Sequence, residues 1–537
     1  EVDSAMNALV TETQRVKQFG FTPSEYDRAR INVLKQYESL YNDRDKQRNS
    51  TFTKEYVRHF TEGGYIPGIE TEYALISQVA QAVPVEQVNK YIQDMIGDTN
   101  IVISLTGPEK EGLAYPTDEE LLRDFMKAQQ IPVEPYRETL SDEPLIPSLP
   151  APGKITESKE DPLFGATVLT LSNGIKVVLK HTDFKKDEIQ MTATSPGGST
   201  LFGNKDIDNL KVFNEVIELG GLGNFSATDL GKMLAGKKVS CSTSLGLDSE
   251  NVNGSSTPSD LKTLFELIYL SFTAPRMDEE AYASFENRMK AQLKNLELNP
   301  MVAFSDSLTK AIYNNNPRAM RIDPADFKNI SYPRIMEMYK ERFGDASGFV
   351  FTFVGNIDTD SIRPLVEQYL ATLPANGKIE QGNPKEVPAI RKGDYVNRFK
   401  RQMETPKASV VNFYSGQMDY NLENIVTATM LKQVLDLGGT YGVQTSARIS
   451  SFPEGQTFLQ AYFDTDPDKR EKMNTIVRNE LKRISDIGPT PEDFKKTQDN
   501  ILKRHAESLQ ENGYWLNTLD NYYYKGFDGL TKYVETV

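Results

Sequence analysis

The sequence has few of the residues on which disulfide frameworks and most metal sites depend. It contains one cysteine, Cys241, and three histidines, His59, His181 and His505, among 537 residues. A lone cysteine excludes an internal disulfide framework and any multi-cysteine metal site. The histidines are far apart along the chain, and none has a second histidine three or four residues away to share a metal ion. We therefore expect this chain to hold no metal.

The sequence also lacks a basic block and a long apolar run. Asp and Glu total 76 against 61 Lys and Arg, which gives a net charge of -15. Phosphate contacts need clustered Lys and Arg, so we expect no nucleic-acid partner. No apolar run approaches the roughly 20 residues of a membrane helix, so no membrane span is predicted. The composition is that of a globular protein of about three or four domains.

An internal repeat organises the chain, because residues 12–35 and 480–503 align without a gap. The identical positions include an arginine, a glycine and a Thr-Pro pair: Arg15 and Arg483, Gly20 and Gly488, Thr22-Pro23 and Thr490-Pro491. In each copy the glycine predicts the end of one helix, and the Thr-Pro pair predicts the start of the next. A weaker third copy begins at Met277.

Apolar segments that end at glycine follow two of these copies. Phe349–Gly355 follows the third copy and Ile101–Gly107 follows the first, and both are predicted as strands. A hairpin is predicted where Asn173-Gly174 joins two alternating apolar segments. Strands followed by helices, without strict alternation, predict an α+β fold with mainly antiparallel sheets covered by helices.

The spacing of proline and of the repeats divides the chain. We predict the C-terminal part of one repeated domain at residues 1–110, a proline-rich hinge at 111–160, a complete domain at 161–376 and a domain without its last helix and strand at 377–537. The first residue is Glu1, within a helical pattern, so we interpret the sequence as a fragment or a processed product.

Several of these segments together resemble one known family. They are the Asn-Gly hairpin with its strands, the Gly197-Gly198 turn after the third strand, the segment Ala227-Thr228-Asp229-Leu230, the GGTYG turn at 438–442 and the helices that begin with Thr-Pro. In this order they resemble the pitrilysin/insulinase family of inverted zinc metallopeptidases, in particular its large bacterial members, whose domains have the LuxS and mitochondrial-processing-peptidase-like fold. The resemblance covers nearly the whole chain.

The resemblance implies four homologous domains in one protein, paired as two halves that close around a peptide chamber. This chain would be the end of the second domain, the hinge, the third domain and most of the fourth. The family binds zinc through an H-x-x-E-H helix in its first domain. That motif is absent here, and the corresponding helix, Phe213–Leu219, has carboxylates but no histidine. The resemblance therefore implies zinc in the intact enzyme and none in this segment.

The resemblance also implies one catalytic contribution from this half. Tyr441 matches a tyrosine that donates a hydrogen bond to the scissile carbonyl as it becomes an oxyanion. Gly438, Gly439 and Thr440 precede it in the same turn and are predicted to contact substrate. From the residues alone, the preferred explanation of Tyr441 is a hairpin tyrosine that favours strand structure. The family's paired arginine is replaced by Val434, which cannot hydrogen-bond a carbonyl.

Two functions stay open on the sequence. The first is the C-terminal half of a zinc peptidase, which binds a peptide substrate together with the N-terminal zinc-carrying half and is inactive alone. The second is a non-catalytic scaffold or peptide-binding subunit of a processing-peptidase-like complex. The sequence leaves the compartment open, and we favour a periplasmic or otherwise exported protein of a bacterium over a cytoplasmic one. Sheet edges exposed at the ends of the fragment would promote a homodimer.

Overall fold

The computed structural model describes residues 2–97, 99–107, 112, 114–138, 141, 143–296, 299–438 and 442–537. The chain forms two compact units. The first contains Glu1–Pro144 and Thr228–Lys238, and the second contains Leu145–Ala227 and Val239–Val537. The finer domain boundaries expected from the sequence remain predictions.

The first unit is helical. Its helices are α1 (Val2–Phe19), α2 (Pro23–Asn42), α3 (Asn49–Glu62), α4 (Ile69–Ala82), α5 (Val85–Met95) and α6 (Asp118–Ala128). Helix α1 packs against α5 and α6, and α2 packs against α4.

A buried carboxylate fixes the proline-rich segment within this unit. The side chain of Glu138 is only 3% exposed, and Arg28 pairs with it through both guanidinium nitrogens at 2.8 and 2.9 Å. Ser24 and Lys232 also donate to it, at 2.6 and 3.1 Å. Burial alone raises the pKa of Glu138, but these donors outweigh burial and hold the pKa at about 2. The segment predicted to be a hinge is thus fixed by charge-assisted hydrogen bonds.

The second unit begins with a seven-stranded sheet and its helices. The strands are β1 (Ile155–Asp161), β2 (Ala166–Leu171), β3 (Lys176–His181), β4 (Ile189–Pro196), β5 (Val239–Leu245), β6 (Ser249–Ser256) and β7 (Val350–Gly355). The helices are α7 (Ile207–Val216), α8 (Ala227–Met233, which joins the first unit from Thr228), α9 (Leu261–Thr273), α10 (Glu279–Leu296), α11 (Pro300–Tyr313), α12 (Tyr332–Phe343) and α13 (Thr359–Leu365).

The strand order of this sheet is β1-β2-β3-β7-β4-β6-β5. Strands β2 and β3 are the predicted antiparallel hairpin, with Thr167 opposite Leu179. Only the β3–β7 pair is parallel among the ladders of this sheet in the described chain. One face of the sheet is covered by helices, and its core includes Phe265 of α9, whose ring stacks on Phe353 at 5.2 Å. The α+β class with mainly antiparallel sheets is therefore confirmed.

A three-stranded antiparallel sheet follows. Its strands are β8 (Ala408–Gln417), β9 (Val443–Ser451) and β10 (Glu454–Thr465), in the order β8-β10-β9. Its helices are α14 (Leu422–Gly438), α15 (Arg470–Ile487), α16 (Pro491–Ser508), α17 (Asn512–Lys525) and α18 (Tyr533–Thr536). Helix α14 packs against β9, and α15 packs against β8 and β10.

Helix α17 packs against the seven-stranded sheet, whose strands come much earlier in the chain. Leu519 is fully buried against Phe164, Val178 and Val354. The ring of Tyr522 lies 4.7 Å from that of Phe164 in an edge contact. The tyrosines at 522 and 523 therefore form part of the face with which this helix packs on the sheet.

The repeated helix pairs have the predicted caps. The Thr22 hydroxyl accepts the backbone N–H of Glu25, and the Thr490 hydroxyl accepts that of Asp493. Gly20 and Gly488 end the preceding helices with φ of +70° and +75°.

One predicted strand is wrong. Residues 101–107 form no strand in the described chain, and the side chain of Val102 is 90% exposed. The equivalent β7 is hydrogen-bonded on both sides, to β3 and β4. An apolar segment becomes a strand only where a neighbour satisfies its backbone, and no described strand pairs with residues 101–107.

Candidate functional site

The candidate catalytic turn connects α14 to β9, and both of its ends are fixed. The Thr445 hydroxyl, near the start of β9, donates to Asp436 Oδ1 at 2.6 Å. Asp436 also pairs with Lys432 one helical turn earlier, with 2.7 Å between Nζ and Oδ2. These contacts hold the last turn of the helix against the first residues of an edge strand.

The residues predicted to do chemistry fall mostly outside what the structure describes. Gly438 is the last residue of α14, whereas Gly439, Thr440 and Tyr441 lie outside the described residues. Their catalytic and substrate-binding roles stay predictions. The chain resumes at Gly442, with φ of +107°, immediately before β9.

Val434, at the position of the family's arginine, belongs to the hydrophobic core. It is 5% exposed and packs with Leu435 and Ile484. A guanidinium at this position would have to leave that core or be buried without a partner. Lys432, the nearest cation on the helix, is held by Asp436. The structure thus places an apolar contact where the resemblance implies a substrate-binding cation.

The helix that corresponds to the family's metal helix holds a strand edge. Asn214 accepts the backbone N–H of Leu245 at 2.8 Å and donates to its carbonyl at 3.3 Å. Glu218 accepts the N–H of Thr243 at 2.8 Å. These two residues are four apart, which is the spacing of the two histidines in H-x-x-E-H, and Ile217 stands where the motif has its glutamate. These side chains hydrogen-bond to the backbone at the free edge of β5, so they do not form a set of metal ligands.

The three histidines lie on separate elements. His59 is on α3, His181 ends β3 and lies 2.9 Å from the Ile357 carbonyl through Nδ1, and His505 is buried on α16. Within the described residues, no group of three or more His, Cys, Asp or Glu is arranged to hold a metal ion. No helix in this part of the chain combines the length and apolar character that crossing a membrane requires.

A buried carboxylate supports the Gly197-Gly198 turn. Glu250 is 1% exposed and accepts the backbone N–H of Gly198 at 2.8 Å. Burial raises the pKa of Glu250 to about 7, although this N–H and the Arg342 guanidinium at 3.6 Å counteract burial. A Cβ on Gly197 would lie 2.3 Å from the Glu250 carboxylate, so the turn requires glycine.

Sequence reasoning missed one cavity beside α14. Gln433, Arg504 and His505 line it, and they belong to helices about 70 residues apart in the chain. The histidine pattern alone gave no signal for it, because only the packing of α14, α16 and α17 brings these residues together.

Comparison with known proteins agrees with this architecture. Residues 329–501 match the family model described as the peptidase M16 inactive domain. This segment, about a third of the chain, is similar to the inactive domain of M16 peptidases. The similarity to a zinc metallopeptidase family that the sequence predicted is therefore confirmed.

Two curated relatives are zinc proteases by name. The zinc protease PQQL-like of Arabidopsis thaliana is 24% identical over 531 residues, which cover 94% of this chain and 53% of that protein. The probable zinc protease PqqL of Escherichia coli strain K12 is 21% identical over 360 residues, which cover 64% of this chain and 38% of that protein. The chain thus spans about half the length of its curated relatives or less. Since the relatives include a plant protein, a bacterial source stays a prediction.

Two solved structures share the fold along the chain. A mutant of the ferredoxin protease FusC in complex with Arabidopsis ferredoxin superposes with a TM-score of 0.68 at 15% identity, over 100% of this chain and 60% of that one. The periplasmic protease PqqL from Escherichia coli superposes with a TM-score of 0.64 at 17% identity, over 99% of this chain and 60% of that one.

Proposed function

We propose that this chain is the non-zinc half of a zinc-dependent peptidase, which closes the peptide chamber and contributes Tyr441 to transition-state stabilisation. The observation that carries the proposal is the α14–β9 connection. Asp436 and Thr445 join the end of α14 to the start of the edge strand β9, on either side of the predicted catalytic residues. Rigid placement is what an oxyanion-stabilising hydroxyl needs.

Zinc and peptide hydrolysis belong, in this proposal, to a protein that also contains a zinc-carrying half. The relatives' names support zinc and proteolysis, and the Asn214 and Glu218 contacts explain why the third domain supplies neither. The substrate is a peptide or protein, in keeping with the ferredoxin bound by FusC. We place the protein in an exported compartment, by analogy with the periplasmic PqqL. A homodimer through exposed sheet edges remains part of the proposal.

Replacing Tyr441 by Phe in the zinc-containing protein tests the catalytic role. Loss of one oxyanion donor lowers kcat by about 10²- to 10³-fold with little change in KM. Steady-state peptide hydrolysis measures both constants. A matched control is Tyr414→Phe, because Tyr414 is an exposed tyrosine of β8, in the sheet that contains β9. Equal kcat for Tyr441→Phe and wild type would remove the tyrosine from the mechanism.

A second candidate is a non-catalytic scaffold or peptide-binding subunit. The burial of Val434 favours it, since the cation of the family's substrate contact is missing. If the zinc-containing protein binds peptide but does not cleave it, this function replaces the first. Cleavage that disappears with a chelator excludes it.

A further inference from the structure

A cavity of about 350 Å³ lies between α14, α16, α17 and the segment 527–533. Much of its wall is aromatic. His505 stacks on Tyr533 with 4.4 Å between ring centroids, and Tyr514 meets His505 edge-on at 5.8 Å. Phe527 completes this wall. Cavities of this size and composition are typical of small-ligand sites, in which apolar and aromatic walls carry a few polar groups.

The charge of the cavity wall is positive. Among the described residues that line it, Arg504 carries the only full charge at neutral pH, and no Asp or Glu is present. Burial lowers the pKa of His505, so its ring is neutral there. The Arg504 guanidinium forms no ion pair or hydrogen bond with the described residues. The exposed Arg504 guanidinium, beside a wall in which no described residue is a carboxylate, favours an anionic ligand even in a protein of net charge -15.

The wall also holds an unsatisfied amide. Gln433 Oε1 is buried and accepts no hydrogen bond from the described residues. A buried amide oxygen without a hydrogen-bond donor is costly, and a ligand that supplies a donor relieves that cost. A peptide group suits this position whichever way the amide is turned, because it offers both an N–H donor and a carbonyl acceptor. Asn517 and Thr518 add further polar groups to the same wall.

We propose that this cavity binds the C-terminal residue of a peptide. The terminal carboxylate pairs with Arg504, the preceding peptide group hydrogen-bonds to Gln433, and an apolar side chain packs against Tyr514 and Tyr533. The site goes beyond the proposed function, because it lies within this chain and needs neither zinc nor Tyr441. A failure of this binding proposal can therefore be distinguished from a failure of the peptidase proposal.

Trp515 gives a direct reading of binding. It is the only tryptophan in the chain, and its ring lies 6.2 Å from that of Tyr514, which lines the cavity. The 537-residue chain is titrated with N-acetyl-L-phenylalanine, with its amide N-acetyl-L-phenylalaninamide, and with Ala-Ala-Phe as acid and amide. Fluorescence and calorimetry both record the titrations. We expect saturable binding of the two acids, and at least 10-fold weaker binding of the two amides. Equal affinity of acid and amide, or no binding of either acid, overturns the proposal.

Two substitutions assign the contacts. Arg504→Gln is expected to weaken binding of the acid at least 10-fold, whereas Lys503→Gln, which removes the neighbouring charge outside the cavity wall, leaves affinity unchanged. Gln433→Met keeps the side-chain length, removes the amide and is expected to weaken binding severalfold. An unchanged affinity in Arg504→Gln contradicts the proposal, as does an equal loss in Lys503→Gln.

Discussion

At the scale of residues, α7 shows how two polar side chains take a structural role at positions with metal-ligand spacing. Asn214 accepts the N–H of Leu245 and donates to its carbonyl, and Glu218, just after the helix, accepts the N–H of Thr243, so both bind the outer edge of β5. An open strand edge invites pairing with another chain, and side chains that occupy its backbone groups prevent that. The helix thus closes the sheet at this end.

Replacing Asn214 by Ala removes two of these hydrogen bonds. We expect the free energy of unfolding to fall by about 1 to 2 kcal/mol. Guanidinium unfolding followed by Trp515 fluorescence reports on this unit, since Trp515 lies within it. Glu215→Ala, an exposed residue of the same helix, should change stability by less than about 0.5 kcal/mol. Equal effects of the two substitutions would contradict the role of Asn214.

Glu250 predicts a pH dependence. Because burial raises its pKa from 4.5 to about 7, the folded state binds a proton more tightly than the unfolded state. Its contribution to stability is therefore complete below about pH 4.5 and is lost as the pH rises through 7. In the wild type, we expect the free energy of unfolding to fall by roughly 2 kcal/mol between pH 5 and 8. Glu250→Gln should abolish this decline.

Guanidinium unfolding at several pH values tests this expectation. Asp248→Asn is the matched control, two residues away on the same turn, and should keep the wild-type pH profile. If Glu250→Gln also keeps that profile, the buried carboxyl does not titrate in this range.

At the scale of elements, the repeat shows what sequence determines locally. The Thr-Pro starts and glycine ends of both helix pairs are predicted correctly, because caps depend on neighbours within four residues. The Asn173-Gly174 hairpin is likewise local. The failure at residues 101–107 has the opposite cause, since a strand depends on a partner from elsewhere in the chain. The parallel β3–β7 pair and the packing of α17 on the earlier sheet were not predicted for the same reason.

The candidate site likewise has parts that the sequence predicts and parts that it does not. The turn after α14 could be located from its glycines and from the strand that follows, and the structure gives it fixed ends. The sequence shows directly that Phe213–Leu219 contains no histidine. It does not show that Asn214 hydrogen-bonds to strand β5. The cavity at Gln433 and Arg504 depends on three helices meeting, which no local pattern encodes.

The two C-cap glycines form a matched pair for mutation. Gly488 has φ of +75° and open space around a Cβ, whereas a Cβ on Gly20, at +70°, would come within 2.4 Å of the Asn89 side chain. Gly488→Ala should cost about 1 to 3 kcal/mol for its backbone alone, because φ of 75° with ψ of -177° is a conformation that essentially only glycine adopts. Gly20→Ala should cost at least about 1 kcal/mol more, because Asn89 must abandon its hydrogen bonds to Phe21.

Hydrogen exchange followed by mass spectrometry compares the two helix pairs directly. Amides of α1 and α2 should lose more protection in Gly20→Ala than those of α15 and α16 lose in Gly488→Ala. Equal losses would show that Asn89 moves without cost.

At the scale of the whole molecule, the chain matches about half of its curated relatives and contains no described metal-binding group. We expect the 537-residue chain alone to bind less than about 0.1 equivalent of zinc and to hydrolyse no peptide. Elemental analysis after dialysis measures the first, and a quenched-fluorescence peptide assay with and without chelator measures the second. Stoichiometric zinc, or hydrolysis that a chelator abolishes, would contradict the proposed division of roles.

The packing of α17 on the seven-stranded sheet has a consequence during synthesis. The face formed by Phe164, Val178 and Val354 is complete long before Leu519, its cover, leaves the ribosome. At about 5 to 20 residues per second, the intervening chain takes roughly 8 to 33 s to translate. For that interval a nascent chain presents a bare apolar sheet. Its yield in cells should therefore depend on chaperones that bind such surfaces while translation continues.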